Sequence, residues 1–292
     1  MRIKKLMPRI LLSTLCIFPG ADALAKQSVD KSAYSLFRPL PKQDWGEMRV
    51  DRPSKTTSPY IIDPGSHNLE FDILSYERDH DKHQGTNIKT KSYTIFAPTY
   101  RVGILHDLEF NALIAAHTDL KTRDLTEDTK TRQHGFEDIT LSLKYNFWGN
   151  SGKCQTAFGI VPSIKIPTNE DDLGNHHVEG TVLLPLDIKL SEKMSFGSMV
   201  GTSYIRGSEH RKYVWAFPIS GTLSYNCTEK LTGYVELYAE KSIESGSRWD
   251  VTFDFGGCYA ITNDWMIDAG MNLGVSKAAV DYNPFIGMSV RF

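Results

Sequence analysis

The chain has 292 residues, of which 40% are hydrophobic and 23% charged, and its formal net charge is −2. After the N-terminus no segment approaches the roughly 20 apolar residues of a transmembrane helix, which excludes helical membrane spans. Only a closed β-barrel could still cross a bilayer, and nothing strongly basic suggests a nucleic-acid partner.

Residues 1–25 have the layout of a secretory signal peptide. Four basic residues precede an apolar run over 10–18, and small residues follow at Ala21, Ala23 and Ala25. We expect cleavage after Ala23 or Ala25 and export of the remainder. The exported part carries 29 Lys and Arg against 34 Asp and Glu, a net charge of −5.

Residues 26–66 are predicted to be an irregular N-terminal segment that is not an independent domain. Prolines recur at positions 39, 41, 53, 59 and 64, and no periodicity is sustained. Irregular backbone is tolerated at membrane depth where it is not exposed to lipid. The segment could therefore lie inside a barrel lumen, or it could be a flexible periplasmic leader.

From residue 67 onward the sequence alternates between apolar and polar residues in runs that fit tilted transmembrane strands. Short turns alternate with longer charged loops along most of this region, as they do in outer-membrane barrels. About twelve strands are predicted, at 67–79, 92–105, 108–124, 135–149, 154–168, 178–192, 193–207, 213–228, 231–245, 248–262, 265–279 and 282–292.

The alternation also assigns the two faces of each strand. In 248–262 one parity holds Trp249, Phe253 and Tyr259, whereas the other holds Asp250 and Asp254. A soluble β-sandwich would also alternate, but without the asymmetry of turns and loops. The sequence thus predicts an all-β fold for 67–292, a transmembrane antiparallel up-and-down β-barrel of about 12 strands with an apolar outer face and a wet interior.

The inward parity collects charged side chains, and acids outnumber bases by ten to five. These predicted lumen-lining residues are Glu70, Asp72, Arg101, Glu109, Asp138, Lys144, Lys165, Asp187, Lys189, Glu236, Glu240, Asp250, Asp254, Asp268 and Arg291. They could pair across the lumen as a structural network. Alternatively, they could line a water-filled passage that favours cations or neutral polar solutes, since Asp and Glu rings favour cations. With about twelve strands, any free bore should be narrow.

Candidate metal and catalytic groups are weak in this sequence. His80, Asp81 and His83 beside Asp79, and His176-His177 beside residues 170–172, are the runs with metal-ligand chemistry, and both are typical of solvated loops.

Catalysis would need His117 and Asp119, predicted inward, to meet a serine such as Ser203 or Ser220, and no spacing joins them. We therefore predict no metal, no cofactor and no enzyme. A lipid-modifying barrel enzyme and a structural or surface barrel remain the alternatives.

The last strand, 282–292, ends the chain on an aromatic residue. Its even positions 284–290 are apolar and its odd positions are polar or small, with Phe285 as the exception. A terminal strand ending in Phe292 resembles the tag by which outer-membrane barrels are recognised for assembly. The expected partners are the barrel assembly machinery, outer-membrane lipid and lipopolysaccharide, and an unidentified small-molecule solute, with the protein a monomer of the cell outer membrane.

Several motifs carry a family resemblance. They are the N-terminal motif Asp51-Arg52-Pro53, Ser58-Pro59 and Asp63-Pro64-Gly65, then Gly135 to Leu141 with Lys144-Tyr145, and Lys165 to Thr168 with residues 170–172. From about residue 50 onward the chain resembles the outer-membrane transporter family named for the meta-pathway of phenol degradation. Asn169 stands where that family's pattern has glycine. The resemblance implies a barrel for passive uptake of small molecules, with aromatic or hydrophobic solutes suggested by the family name.

Overall fold

The computed structural model describes residues 29–82, 86–114, 116–174, 176–207 and 212–292. Two 3₁₀ helices, Lys31–Ala33 and Lys42–Asp44, precede fourteen strand segments. The strands are β1 His67–Asp81, β2 Ile88–Gly103, β3 Leu108–Leu113, β4 His117–Asp124, β5 Thr129–Phe136, β6 Ile139–Trp148, β7 Thr156–Ile166, β8 Glu179–Lys189, β9 Met194–Arg206, β10 Tyr213–Asn226, β11 Leu231–Ser242, β12 Asp250–Ala260, β13 Trp265–Gly274 and β14 Tyr282–Arg291. No helix in these ranges is long and apolar enough to cross a membrane.

The strands form one antiparallel sheet that closes on itself. Strand β1 pairs with β2 on one side and with β14 on the other. Strands β3 and β4 follow one another along β2, and β6 and β5 pair with them in turn. The fourteen segments therefore occupy twelve positions around the barrel. This confirms the predicted fold class. The predicted strand 108–124 is divided in two, and β6 forms most of the predicted strand 135–149, whereas β5 begins six residues before it, at Thr129.

The break between β3 and β4 reverses the alternation of faces. Asn111 in β3 and Thr118 in β4 are both buried, although seven residues separate them and a continuous strand would place them on opposite faces. Thr118 donates a hydrogen bond to Glu137, with which it shares the inner side. His117 and Asp119 therefore lie on the outer parity, and their predicted inward placement is wrong.

The outer face carries the apolar side chains. Trp249, Phe253, Phe255 and Tyr259 of the predicted outward set are 38–47% exposed. Asp254, between two of them, is 0% exposed. This distribution, with apolar residues exposed on the outside and charged residues buried inside, is the inverse of a water-soluble fold. It is the distribution expected of a barrel whose outer face contacts lipid.

An arginine at the middle of this outer face should destabilise the barrel. Leu237 lies midway along β11 with 56% of its surface exposed. We expect Leu237→Arg to lower the free energy of unfolding in lipid by about 2–4 kcal/mol, the cost of a cation at the bilayer midplane. The matched control is Leu231→Arg at the strand end, where the cost near the interface is about 0–1 kcal/mol. Equal losses in urea titrations of the two variants would contradict an embedded outer face.

Candidate functional site: the filled lumen

Residues 49–62, called the plug below, cross the inner side of the barrel. Their hydrogen-bond partners include Glu70 of β1, Asp187 of β8 and Glu236 of β11, which lie on widely separated strands of the closed sheet. A segment that contacts strands on several sides of a closed barrel lies within its lumen. The plug is continuous with β1 at the rim that carries the short turns. Short turns face the periplasm in outer-membrane β-barrels, and this rim is therefore called the periplasmic rim below.

Three buried glutamates of the wall hold the plug by its backbone. The bonds run from the N–H groups of residues 51 and 52 to Glu70, from those of residues 55 and 56 to Glu236, and from that of residue 62 to Glu109, at 2.9–3.2 Å. Each glutamate is at most 2% exposed. A buried carboxylate needs hydrogen-bond donors, and here the plug supplies them.

Two cationic side chains of the plug meet wall carboxylates. Arg52 donates from Nε and Nη2 to the two oxygens of Asp268, at 3.1 and 2.8 Å, and its Nη2 lies 2.8 Å from Asp72. Lys55 donates to the Thr252 hydroxyl at 2.8 Å and lies 3.5 Å from Asp254. The plug thus neutralises part of the acidic excess that the sequence predicts for the inner face.

A buried charge cluster lies beside the plug near the periplasmic end. The Arg101 guanidinium donates to Glu70 at 2.5 Å and to Glu109 at 2.8 and 3.0 Å. The Lys144 ammonium donates to both oxygens of Asp51, at 2.8 and 2.6 Å. Arg101 and Lys144 are both 0% exposed, so the three acids are the counter-ions that make their burial tolerable.

The Asp51 carboxyl is the one member of this cluster that belongs to the plug. Burial by itself raises the pKa of this carboxyl. The charges of Arg101 and Lys144 and the hydrogen bonds from Lys144 and Ser58 lower it by more, so that the pKa falls to about 2. A carboxyl whose pKa is depressed by folding stabilises the folded state above its unfolded pKa, which is about 3.9. That contribution is lost as the pH falls from about 4 through 2.

This sign gives a pH-dependent prediction for Asp51→Asn. We expect the variant to unfold at a lower urea concentration than the wild type from pH 7 down to about 5. The difference in urea midpoint should shrink as the pH approaches 2, because the wild-type carboxyl then becomes protonated and therefore neutral, like the asparagine side chain of the variant. Tryptophan fluorescence in detergent micelles at a series of pH values measures both proteins. A difference that stays constant down to pH 2 would contradict an ionised Asp51.

The predicted lumen residues fall into three groups in the structure. Those that contact the plug or its charge cluster are Glu70, Asp72, Arg101, Glu109, Lys144, Asp187, Glu236, Asp254 and Asp268. Those at the periplasmic mouth are Lys189, which donates to Gly152, and Arg291, which pairs with Asp264. Those toward the opposite end are Lys165 with its partner Asp138, and Glu240 opposite Asp250.

The N-terminal motif residues supply the plug and its base. The carbonyl groups of Pro53 and Pro59 accept bonds from Tyr234 and Asn146, and Ser58 donates to Asp51. At the rim Asp63 pairs with Lys31, the Pro64 carbonyl accepts from the Leu40 N–H, and the Gly65 N–H donates to the Gly103 carbonyl. The Phe292 backbone bonds with that of His67, and their rings stack at 5.9 Å, where β14 meets β1.

Several residues that contact the plug are uncharged, so the predicted set of charged lumen residues does not include them. Ser220 and Thr222 bond to the Thr56 hydroxyl, and both were recognisable only as polar members of the inward parity. Phe285, the exception in the last strand, lies on the inner parity with its ring 5.7 Å from the Arg52 guanidinium carbon. Its signal was the broken alternation itself.

The residues considered for catalysis do not assemble. His117 packs edge-on against Phe136, and Asp119 forms an ion pair with Arg132. The Ser203 hydroxyl accepts a hydrogen bond from Thr181, whereas the Ser220 hydroxyl is hydrogen-bonded to Thr56 of the plug. In the described ranges no group of three His, Cys, Asp or Glu residues could hold a metal. His83 of the candidate metal loop lies outside those ranges.

A closed antiparallel barrel with an apolar outside, a charged inside and short turns at one rim has the architecture of outer-membrane β-barrels. The fold is similar to the COG4313 outer membrane channel from Pseudomonas putida F1, with a TM-score of 0.58, 10% identity and coverage of 84% of this chain and 100% of that one. It is also similar to the translocator domain of the autotransporter NalP from Neisseria meningitidis, with a TM-score of 0.54, 8% identity and coverage of 83% and 91%. Residues 50–292 match the family described as "Putative MetA-pathway of phenol degradation", and the chain belongs to it. No curated protein matches the chain.

Proposed function

We propose that this protein is a passive channel of the bacterial outer membrane for small molecules, and that the plug closes its lumen in the present state. The observation that carries the proposal is which groups the buried carboxylates of the barrel wall are paired with. Glu236, Asp254 and Asp268 face cations or N–H groups of the plug instead of cations of the wall. A lumen filled only for rigidity would pair its charges across the wall, as in small barrels packed with side chains.

The arrangement suits a passage that can be emptied. Once the plug leaves, these carboxylates face water and the lumen becomes an acidic, hydrated bore that favours cations and polar solutes. Twelve strand positions lie between the eight of a filled barrel and the sixteen of an open porin, so the bore is narrow. Small solutes fit this geometry, and aromatic or hydrophobic ones are the class that the family description suggests.

The remaining features follow from this function. Residues 1–25 direct export and are removed, residues 26–66 form the segment that contains the plug, and residues 67–292 form the barrel. The apolar outer band contacts phospholipid and lipopolysaccharide, and the strand ending in Phe292 is read by the barrel assembly machinery. The closed sheet leaves no barrel edge for a second copy to extend, in keeping with a monomer.

Planar-bilayer recordings of the purified wild-type protein test the proposal. We expect infrequent, small currents that are ohmic and weakly cation-selective, because the plug closes the lumen most of the time and the wall is acidic. The same preparation should not hydrolyse phospholipid. Electrical silence combined with lipid hydrolysis would favour the barrel enzyme, whereas silence without hydrolysis, in a plug-deleted protein as well, would favour a structural role.

A further inference from the structure

The Arg52 guanidinium occupies a cradle that the barrel wall builds from four residues. Asp268 of β13 receives two of its hydrogen bonds and Asp72 of β1 lies 2.8 Å from the same Nη2 atom. Phe285 and Gly287 of β14 complete the cradle. Apart from Arg52 itself, every member belongs to a strand, so the cradle persists when the plug is absent.

The shape of the cradle is specific for a flat cation. The Phe285 ring stands 5.7 Å from the guanidinium carbon, and a Cβ atom built on Gly287 would overlap the guanidinium nitrogens. The slot therefore depends on glycine at 287 for its room. Two parallel donors fit the two oxygens of Asp268, a geometry that a planar guanidinium fork provides and a compact ammonium does not.

The cradle is open to solutes and lies in an acidic lumen. Side-chain exposure is 18% for Arg52 and 22% for Asp72, whereas Asp268 is nearly sealed at 2%. Elsewhere on the wall, four residues along β12 from the residue that pairs with Asp268, the Asp254 Oδ1 atom is buried without a hydrogen-bond partner in the described parts of the chain. Lys55 and Thr252 contact only its Oδ2 atom, so this part of the lumen keeps an unsatisfied acceptor for the N–H donors of a passing solute.

We propose that the cradle is a binding site for small solutes that carry a guanidinium or amidinium group, and that Arg52 is its tethered occupant in the closed state. The proposal rests on the proposed channel function and names a solute class for it. A solute of this class competes with Arg52 for Asp268 and Asp72. A solute that displaces Arg52 removes both ion pairs of Arg52 between the plug and the wall.

Calorimetric titration of Arg52→Ala protein in detergent with methylguanidinium chloride tests this inference. We expect saturable binding at millimolar concentration or below, and methylammonium at the same ionic strength should bind roughly tenfold more weakly because it lacks the second parallel donor. Wild-type protein should show little binding, since Arg52 fills the cradle. The double variants Arg52→Ala/Asp268→Asn and Arg52→Ala/Gly287→Leu should both lose it.

The second double variant keeps every wall charge and only removes the room, so it separates shape from general attraction to an acidic lumen. Equal affinity for the two cations, or binding that survives both second substitutions, would overturn the proposal. Calorimetry is independent of conductance. Binding without current in any variant would leave the site standing and reject the channel, whereas current without binding would reject the site alone.

Discussion

Replacing Arg52 and Lys55 together with alanine is expected to raise the mean single-channel conductance severalfold and to strengthen cation selectivity. The double variant removes the plug's ion pairs with Asp72, Asp254 and Asp268. Partly buried pairs of this kind are screened less than surface pairs, so their loss weakens the hold on the plug. The freed carboxylates then face the bore, where they attract cations.

The matched control also removes one arginine and one lysine from the N-terminal segment, but at positions outside the plug. In Arg38→Ala/Lys42→Ala the lost groups lie outside the lumen, one stacked over Tyr34 and one paired with Asp264 while 65% exposed. We expect conductance close to that of the wild type. A chain lacking residues 29–62 gives the upper limit of the conductance. If both double variants and the deletion conduct like the wild type, the segment does not obstruct the passage.

Replacing Arg101 with methionine is expected to cost about 3–5 kcal/mol of folding free energy, the usual penalty for removing one partner of a buried ion pair. Arg101 is 0% exposed, and within 4 Å it is the only cation beside Glu70 in the described ranges. Of its two cationic partners, Glu109 would keep only the Lys144 ammonium, at 3.7 Å. The variant therefore leaves carboxylates buried with too little compensation.

The control is Arg132→Met, which breaks the pair with Asp119 on an arginine that is 63% exposed. An exposed pair of this kind is worth about 0–1 kcal/mol, so the urea midpoint should hardly move. Adding Glu70→Gln to Arg101→Met should recover part of the lost stability, because it removes one unpaired charge. Similar midpoints for the two single variants would show that the cluster does not stabilise the barrel.

The sequence predicts the wall of this barrel well because strand alternation is a local property. A period of two decides which side chain faces lipid, and it holds wherever a strand is regular. It fails where the backbone is irregular, as between β3 and β4, where one break reversed the faces of His117 and Asp119. The sequence of residues 114–116 contains no signal that predicts this reversal.

The contacts of the plug are beyond the reach of alternation. Arg52 meets Asp268 across 216 positions of the chain, and Lys55 meets Thr252 across 197. Which acid receives which cation depends on the register of a closed sheet and on an irregular segment that has no period. The glutamates that accept backbone N–H groups are harder still to foresee, because any residue but proline can donate such a bond.

The plug is a loop whose two stems emerge at the same rim. Before it, the Gly46 carbonyl accepts a bond from Arg291, and after it the Ser66 carbonyl accepts one from the Gly103 N–H. No chain terminus has to be threaded through the cylinder to bring the loop in or out. It follows that the loop can enter a barrel that is already closed, and can withdraw into the periplasm without unzipping any strand.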